Sequence, residues 1–209
     1  PKPMKVRFEL CGVALALALA LTLASTAASA QEEGALPFGV DADRYMAPLP
    51  GDAFVVAPGA GVGGHLIPRA TLTYDIGYQP VVARADDRTV SIPVATQLFL
   101  HPGFSASFWD RLLVGVHLPV ALFRTGEATP TTGGSIGGAD GAALGDLRLS
   151  LRGRVFGDDD DVVRLAVGHH LWLPTAGSRS FAGQGRVYAH PEAIVDGGAG
   201  MVHYAAATG

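Results

Sequence analysis

Residues 144–155, LGDLRLSLRGRV, change character at almost every step. Leu147, Leu149, Leu151, Gly153 and Val155 share one parity, and Asp146, Arg148, Ser150, Arg152 and Arg154 share the other. Successive side chains of a β-strand point to opposite faces, so this period of two predicts a strand with one apolar and one charged face. Two surroundings suit such a strand. One is the half-buried sheet of a soluble protein; the other has lipid on one side and a wet lumen on the other. The rest of the chain has to decide between them.

The same alternation recurs from His65 onward, and no later stretch sustains a helical period. The chain therefore reads as β throughout. Six strands are predicted, at about 65–79, 90–109, 111–124, 144–156, 162–174 and 186–197, and a seventh begins near Met201. In the first, Leu66, Ala70, Leu72, Tyr74, Ile76 and Tyr78 oppose Arg69, Thr71, Thr73 and Asp75. In the second, Leu98, Leu100, Phe104, Ala106 and Phe108 oppose Gln97, His101, Ser105 and Ser107. In the fifth, Val163, Leu165, Val167, Leu171 and Leu173 oppose Arg164 and His170. In the sixth, Arg186, His190, Glu192 and Asp196 share a parity.

The connections sort by length. About ten residues are expected between the first two strands, followed by a tight turn at Trp109-Asp110-Arg111. Then come a long loop (TGEATPTTGGSIGGADGAA), a short one (GDDDD), a long one (TAGSRSFAGQG) and a short one (GGAG). Outer-membrane barrels alternate long external loops with short periplasmic turns in this way. Strands of about twelve residues exceed the five or six usual in soluble sheets and suit a tilted crossing of a belt roughly 25 Å tall. Trp109 at a short turn, and Trp172 and Tyr78 near long connections, fit interfacial aromatics.

The start of the chain points to export. Lys5 and Arg7 precede an apolar run, CGVALALALALTLA, and the small-residue stretch STAASA follows it. A basic region, an apolar region and an Ala-Ser-Ala end describe a secretory signal peptide over residues 1–30, cleaved near Ala30. The alternative is an N-terminal membrane anchor, for which the run is short. Residues 31–64 hold no periodic segment, and PLPGDAFVVAPGAGVGG reads as an irregular periplasmic lead-in. Residues 65–209 then form the β domain. The single cysteine, Cys11, lies in the signal region, which excludes disulfides and thiol catalysis after it. Removing three cations and one anion with the signal takes the net charge from −4 to −6. That balance excludes no membrane role and offers nothing to a nucleic acid.

On a lipid-facing surface each mid-plane arginine costs about 2–4 kcal/mol. The charged parity is therefore assigned to the interior: Arg69, Asp75, Asp146, Arg148, Arg152, Arg154, Arg164, Arg186, Glu192 and Asp196. Two readings of that set stand open: a static ion-pair network that fills the interior, or a pore lining that selects solutes.

Three motif matches lack the context their chemistry needs. Gly59-x-Gly61-x-x-Gly64 does not follow a strand or open a helix, as a dinucleotide site requires. Gly133-x-Ser135-x-Gly137 sits in a Gly/Thr-rich loop rather than at a strand–turn–helix elbow. Asp158 to Asp161 lacks the spaced ligands of a calcium loop. His169 and His170 are adjacent on a strand and point to opposite faces, and the other histidines show no metal-ligand spacing. No catalytic, cofactor or metal site is expected from spacing.

GAALGDLRLSLRGRVFG, followed by LAVGHHLWLPTAG, resembles the Gly-Leu-Gly-Asp-Leu … Leu-Pro-Thr-Gly pattern of outer-membrane channels of the meta-pathway phenol-degradation type. With QLFLHPGFSASFWDRLLVGVHLPVALFRTGE, it is similar to the N-terminal barrel of large OmpA-family proteins, over roughly residues 41–204. The resemblance implies a non-enzymatic up-and-down transmembrane β-barrel in the outer membrane, in contact with lipid and small solutes. Members of that family also grip peptidoglycan through a further domain, which this sequence does not contain. The ending YAAATG, with six strands and a fraction, reads as an incomplete barrel from a truncated chain. The competing expectation is a secreted soluble β-sandwich that binds a ligand or partner through its long loops. A membrane-embedded hydrolase using Ser135 is the remote third.

Overall fold

The computed structural model of the chain describes residues 41–54, 57–131, 134–177 and 181–209. The expected signal peptide, its cleavage point and Gly133 lie outside the described residues. The described chain is strand and loop, without a helix. Its strands are β1 (Ile67–Ala85), β2 (Arg88–Phe108), β3 (Leu112–His117), β4 (Val120–Thr125), β5 (Thr129–Thr131), β6 (Gly134–Ile136), β7 (Ala143–Leu144), β8 (Leu147–Phe156), β9 (Arg164–Leu173), β10 (Tyr188–Ala199) and β11 (Val202–Thr208).

These strands make seven antiparallel rows. β1 pairs along one side of β2; β3 and β4 pair along the other, at Gly103–Phe108 and Thr96–Leu100 of β2. β8, β9, β10 and β11 follow in order, with β7 against β4. β5 and β6 form a separate two-stranded ribbon. The all-β antiparallel meander is as expected. A closed barrel is not present: β1 and β11 are the two edges and do not pair with each other.

Two departures from the expected strands have local causes. The single strand expected over 111–124 is broken at Leu118-Pro119. Pro119 has no N–H to donate, and it faces a stretch of β2 where Pro102 lacks one too. The ten-residue loop expected after the first strand is instead paired backbone. β1 and β2 continue as a hairpin to a two-residue turn at Asp86 and Asp87, whose φ values of 48° and 60° suit a type I′ turn. Trp109 and Asp110, with φ of 53° and 58°, close the β2–β3 turn the same way. Every turn still falls at the end of the sheet that the meander demands.

Residues 41–54 and 57–64 are irregular, and they lie across one face of this sheet. Near the start, the Ala42 N–H donates to Phe181 O in the β9–β10 loop, and Gln97 Nε2 donates to Ala42 O. Midway, Ser105 Oγ donates to Pro50 O at 2.6 Å. At the far end, the Asp110 N–H in the β2–β3 turn donates to Gly64 O. The segment thus runs from the long-loop end of the sheet to the short-turn end before entering β1. Small apolar clusters seat it, with Leu49 and Val62 against Leu113, and Ala60 against Ala166 and Ile194.

The two faces of the sheet are inverted relative to a soluble protein. Leu72, Tyr74, Ile76 and Tyr78 along β1 are 67–78 % exposed. Arg148, Ser150, Arg152 and Arg154 along β8 are all buried, while Leu149 between them and Val155 after them are exposed. The strand parities expected from the sequence are therefore kept, with charge covered and hydrocarbon outward.

Candidate functional site

The site is the covered polar face, and cross-strand register builds it in rows. Arg152 on β8 lies between Leu113 on β3 and Gly168 on β9, and Gly168 lies opposite Glu192 on β10. A Cβ on Gly168 would stand 2.3 Å from Glu192 Oε1, so only glycine lets Glu192 reach over toward Arg152. The guanidinium of Arg152 contacts Glu192 Oε1 at 3.6 Å, and the same oxygen is 3.3 Å from His170 Nε2. On its other side Arg152 forms a two-pronged pair with Asp52 of the covering segment. Asp52 also accepts the amides of Leu49 and Gly59, at 3.0 and 3.1 Å, which fixes the segment's bend.

The other arginines are occupied in similar ways. Arg148 donates to the Ala47 carbonyl, and Arg69 donates to the Gly63 carbonyl and to Ser107 Oγ. Arg164 makes a bidentate pair with Asp196 at 2.8 and 3.0 Å. Arg154 pairs with Asp159 and donates to Asp110 O at the short-turn end. Asp146 accepts the amides of Ala176 and Gln184 at 3.1 and 2.7 Å, and so ties down the β9–β10 loop. Arg186 does not join this set. It is exposed, precedes β10 and donates to Gln184 Oε1.

Asp75 belongs to a second cluster. His101 on β2 lies with Nε2 2.6 Å from Asp75 Oδ2 on β1, and with Nδ1 3.8 Å from Asp43 Oδ2 on the covering segment. Tyr45 meets the His101 ring edge-on, with centroids 5.3 Å apart, and Phe99 stacks on it. Burial pushes the Asp43 carboxyl up to about 7, against the pull of His101; burial likewise raises Asp41 to about 6. Asp41, Asp43, His101, His117 and Asp146 line a cavity of about 100 Å³.

Trp172 differs from its expected place. It lies on the polar face, stacked on Tyr188 with ring centroids 4.5 Å apart, rather than at an outer interface. His169 and His170 do point to opposite faces. His170 accepts or donates with Ser150 at 2.8 Å, while His169 sits on the apolar face opposite Leu151 and Pro191.

Sequence reasoning missed Asp43 and Asp52, because both lie in a segment without periodicity. A signal for them was present. The charged parity supplies six arginines and four acids, so covered arginines needed acids from elsewhere. No protein-family model, curated protein or solved structure matches this chain.

Proposed function

We propose that the chain is the wall of a membrane-spanning β-barrel of outer-membrane type, with its interior filled rather than open. The observation that carries this reading is the inverted partition: a charged face covered by residues 41–54 and 57–64, and a face of leucine, isoleucine, valine and aromatic side chains left bare. In water such a face is an aggregation surface; against lipid tails it is the required one. Tyr78 and Trp109, exposed toward opposite ends of the sheet, suit the two interfacial girdles. The paired arginines and the covering segment favour a structural, envelope-anchoring barrel over a wide solute channel. The resemblance to OmpA-family barrels points the same way and adds peptidoglycan as a partner of a domain beyond these residues.

Single cysteines at positions 72, 74, 76 and 149 should react with a lipid-soluble maleimide in reconstituted vesicles and resist a charged one. Cysteines at 150 and 170 should resist the lipid-soluble reagent. Recovery of the protein as a detergent-free soluble monomer, with both sets open to the charged reagent, overturns the proposal and favours a secreted sandwich acting through its loops.

A further inference from the structure

We infer that residues 41–47 form a proton-controlled latch at the long-loop end of the sheet, docked while Asp41 and Asp43 are protonated and released once both carry charge. The inference goes beyond the membrane reading and stands without it, since it needs only the packing of this stretch on the polar face.

The packing gathers acids. Asp41 and Asp43 line a cavity of about 100 Å³, together with Asp146, which directly precedes β8. Asp75 on β1 reaches the same place through His101 on β2. The two latch carboxyls are also joined to each other and to the backbone. The Asp43 amide donates to Asp41 Oδ1 at 2.9 Å, and the Tyr45 amide donates to Asp43 Oδ1 at 3.1 Å.

The cations there do not match these acids. One imidazole carries at most one positive charge, and Asp75 meets His101 Nε2 at 2.6 Å. Asp43 Oδ2 faces the other ring nitrogen at 3.8 Å, beyond hydrogen-bonding distance. Asp41 has no cation within ion-pair distance among the described residues. Arg148 lines the cavity but donates to the Ala47 carbonyl, and Arg44 is exposed. His117 on β3, Tyr45 and Tyr188 on β10 are the other ionisable groups around it. Elsewhere on this face Asp52, Glu192 and Asp196 each meet an arginine. A buried carboxylate without such a partner costs far more than its neutral acid.

Burial accordingly raises Asp41 to about 6 and Asp43 to about 7, with repulsion from Asp146 on the first and from Asp75 and Asp41 on the second. Released into water, both carboxyls return to about 4. The docked stretch therefore holds protons that the released stretch gives up. Docking is firmest in acid, and it is lost as the pH rises toward and through the docked values.

The test places a nitroxide on Met46→Cys, at an exposed side chain within the latch of the full chain. A second nitroxide on Ala53→Cys, next to the Asp52–Arg152 pair, serves as control. The ratio of mobile to immobile label at position 46 should rise on the order of 100-fold between pH 5 and pH 7, and position 53 should not respond. Asp43→Asn should cut that rise to about tenfold, and Asp41→Asn combined with Asp43→Asn should abolish it. Asparagine keeps the oxygen that accepts each amide, so both variants retain the local bend. Mobility at position 46 that is indifferent to pH overturns the inference. So does a response that survives in the double variant, or one that position 53 shares equally. The spectra are taken in detergent, or in buffer for a protein that proves soluble, so failure of the membrane reading is seen separately.

Discussion

The side chains of Asp52 and Arg152 are each 1 % exposed, and each is the other's main charge partner. Removing Asp52 leaves Arg152 with only the looser Glu192 contact, and removing Arg152 strands both carboxylates. Asp52→Ala should therefore lower stability by about 3–5 kcal/mol in urea unfolding, and Asp52→Leu combined with Arg152→Met should recover only part of that loss, because Glu192 is left with His170 alone and the Leu49 and Gly59 amides lose their acceptor. Gly168 gives a test whose sign is informative. Where the backbone permits it, glycine to alanine stabilises by about 0.4–1 kcal/mol. Here the new methyl meets Glu192 at its carboxylate, so Gly168→Ala should destabilise instead, by about 1–3 kcal/mol, and should disturb His170 through the shared oxygen. Paired measurements of unfolding and of the His170 imidazole resonance would show both effects.

The strand is the unit that carries the two-faced pattern, and β8 carries it most clearly. Leu149 faces out and is flanked by Val116 and Leu171 on the neighbouring rows. In phospholipid vesicles, Leu149→Arg should cost about 2–4 kcal/mol of folding free energy if it sits near mid-membrane, and less toward either interface. The same substitution in a soluble sheet would be nearly neutral, so the magnitude separates the two environments. The faces of β1, β2, β8, β9 and β10 are legible in the sequence because a period of two is a local property that needs no partner. The break at Pro119 is equally local, but the apolar alternation on either side conceals it. Trp172 is a different case. The position of an aromatic along a strand says nothing about its facing, whereas its parity with Arg164 and His170 does. Residues 41–64 are legible only as irregular. Their partners are remote, as in Asp52 and Arg152, which lie 100 positions apart, and no periodicity reports such a contact.

At the scale of the whole molecule, two features set the behaviour: unpaired edges at β1 and β11, and a segment laid along the full length of the polar face. Lipid tolerates no open edge, because its backbone groups would go unsatisfied, so the membrane reading requires those edges to be paired in the assembled protein. With them paired, excising residues 41–64 should raise ion conductance in planar bilayers over that of the full chain. Equal conductance would mean that the segment is not what fills the interior. The path of that segment also spans distances in sequence that the sheet spans only in space. It leaves the short-turn end of the sheet directly into β1, and it is held by side chains on β1, β2 and β8. Residues 41–54 and 57–64 therefore act as a common gauge: strands up to 100 positions away take their register against the same stretch of backbone.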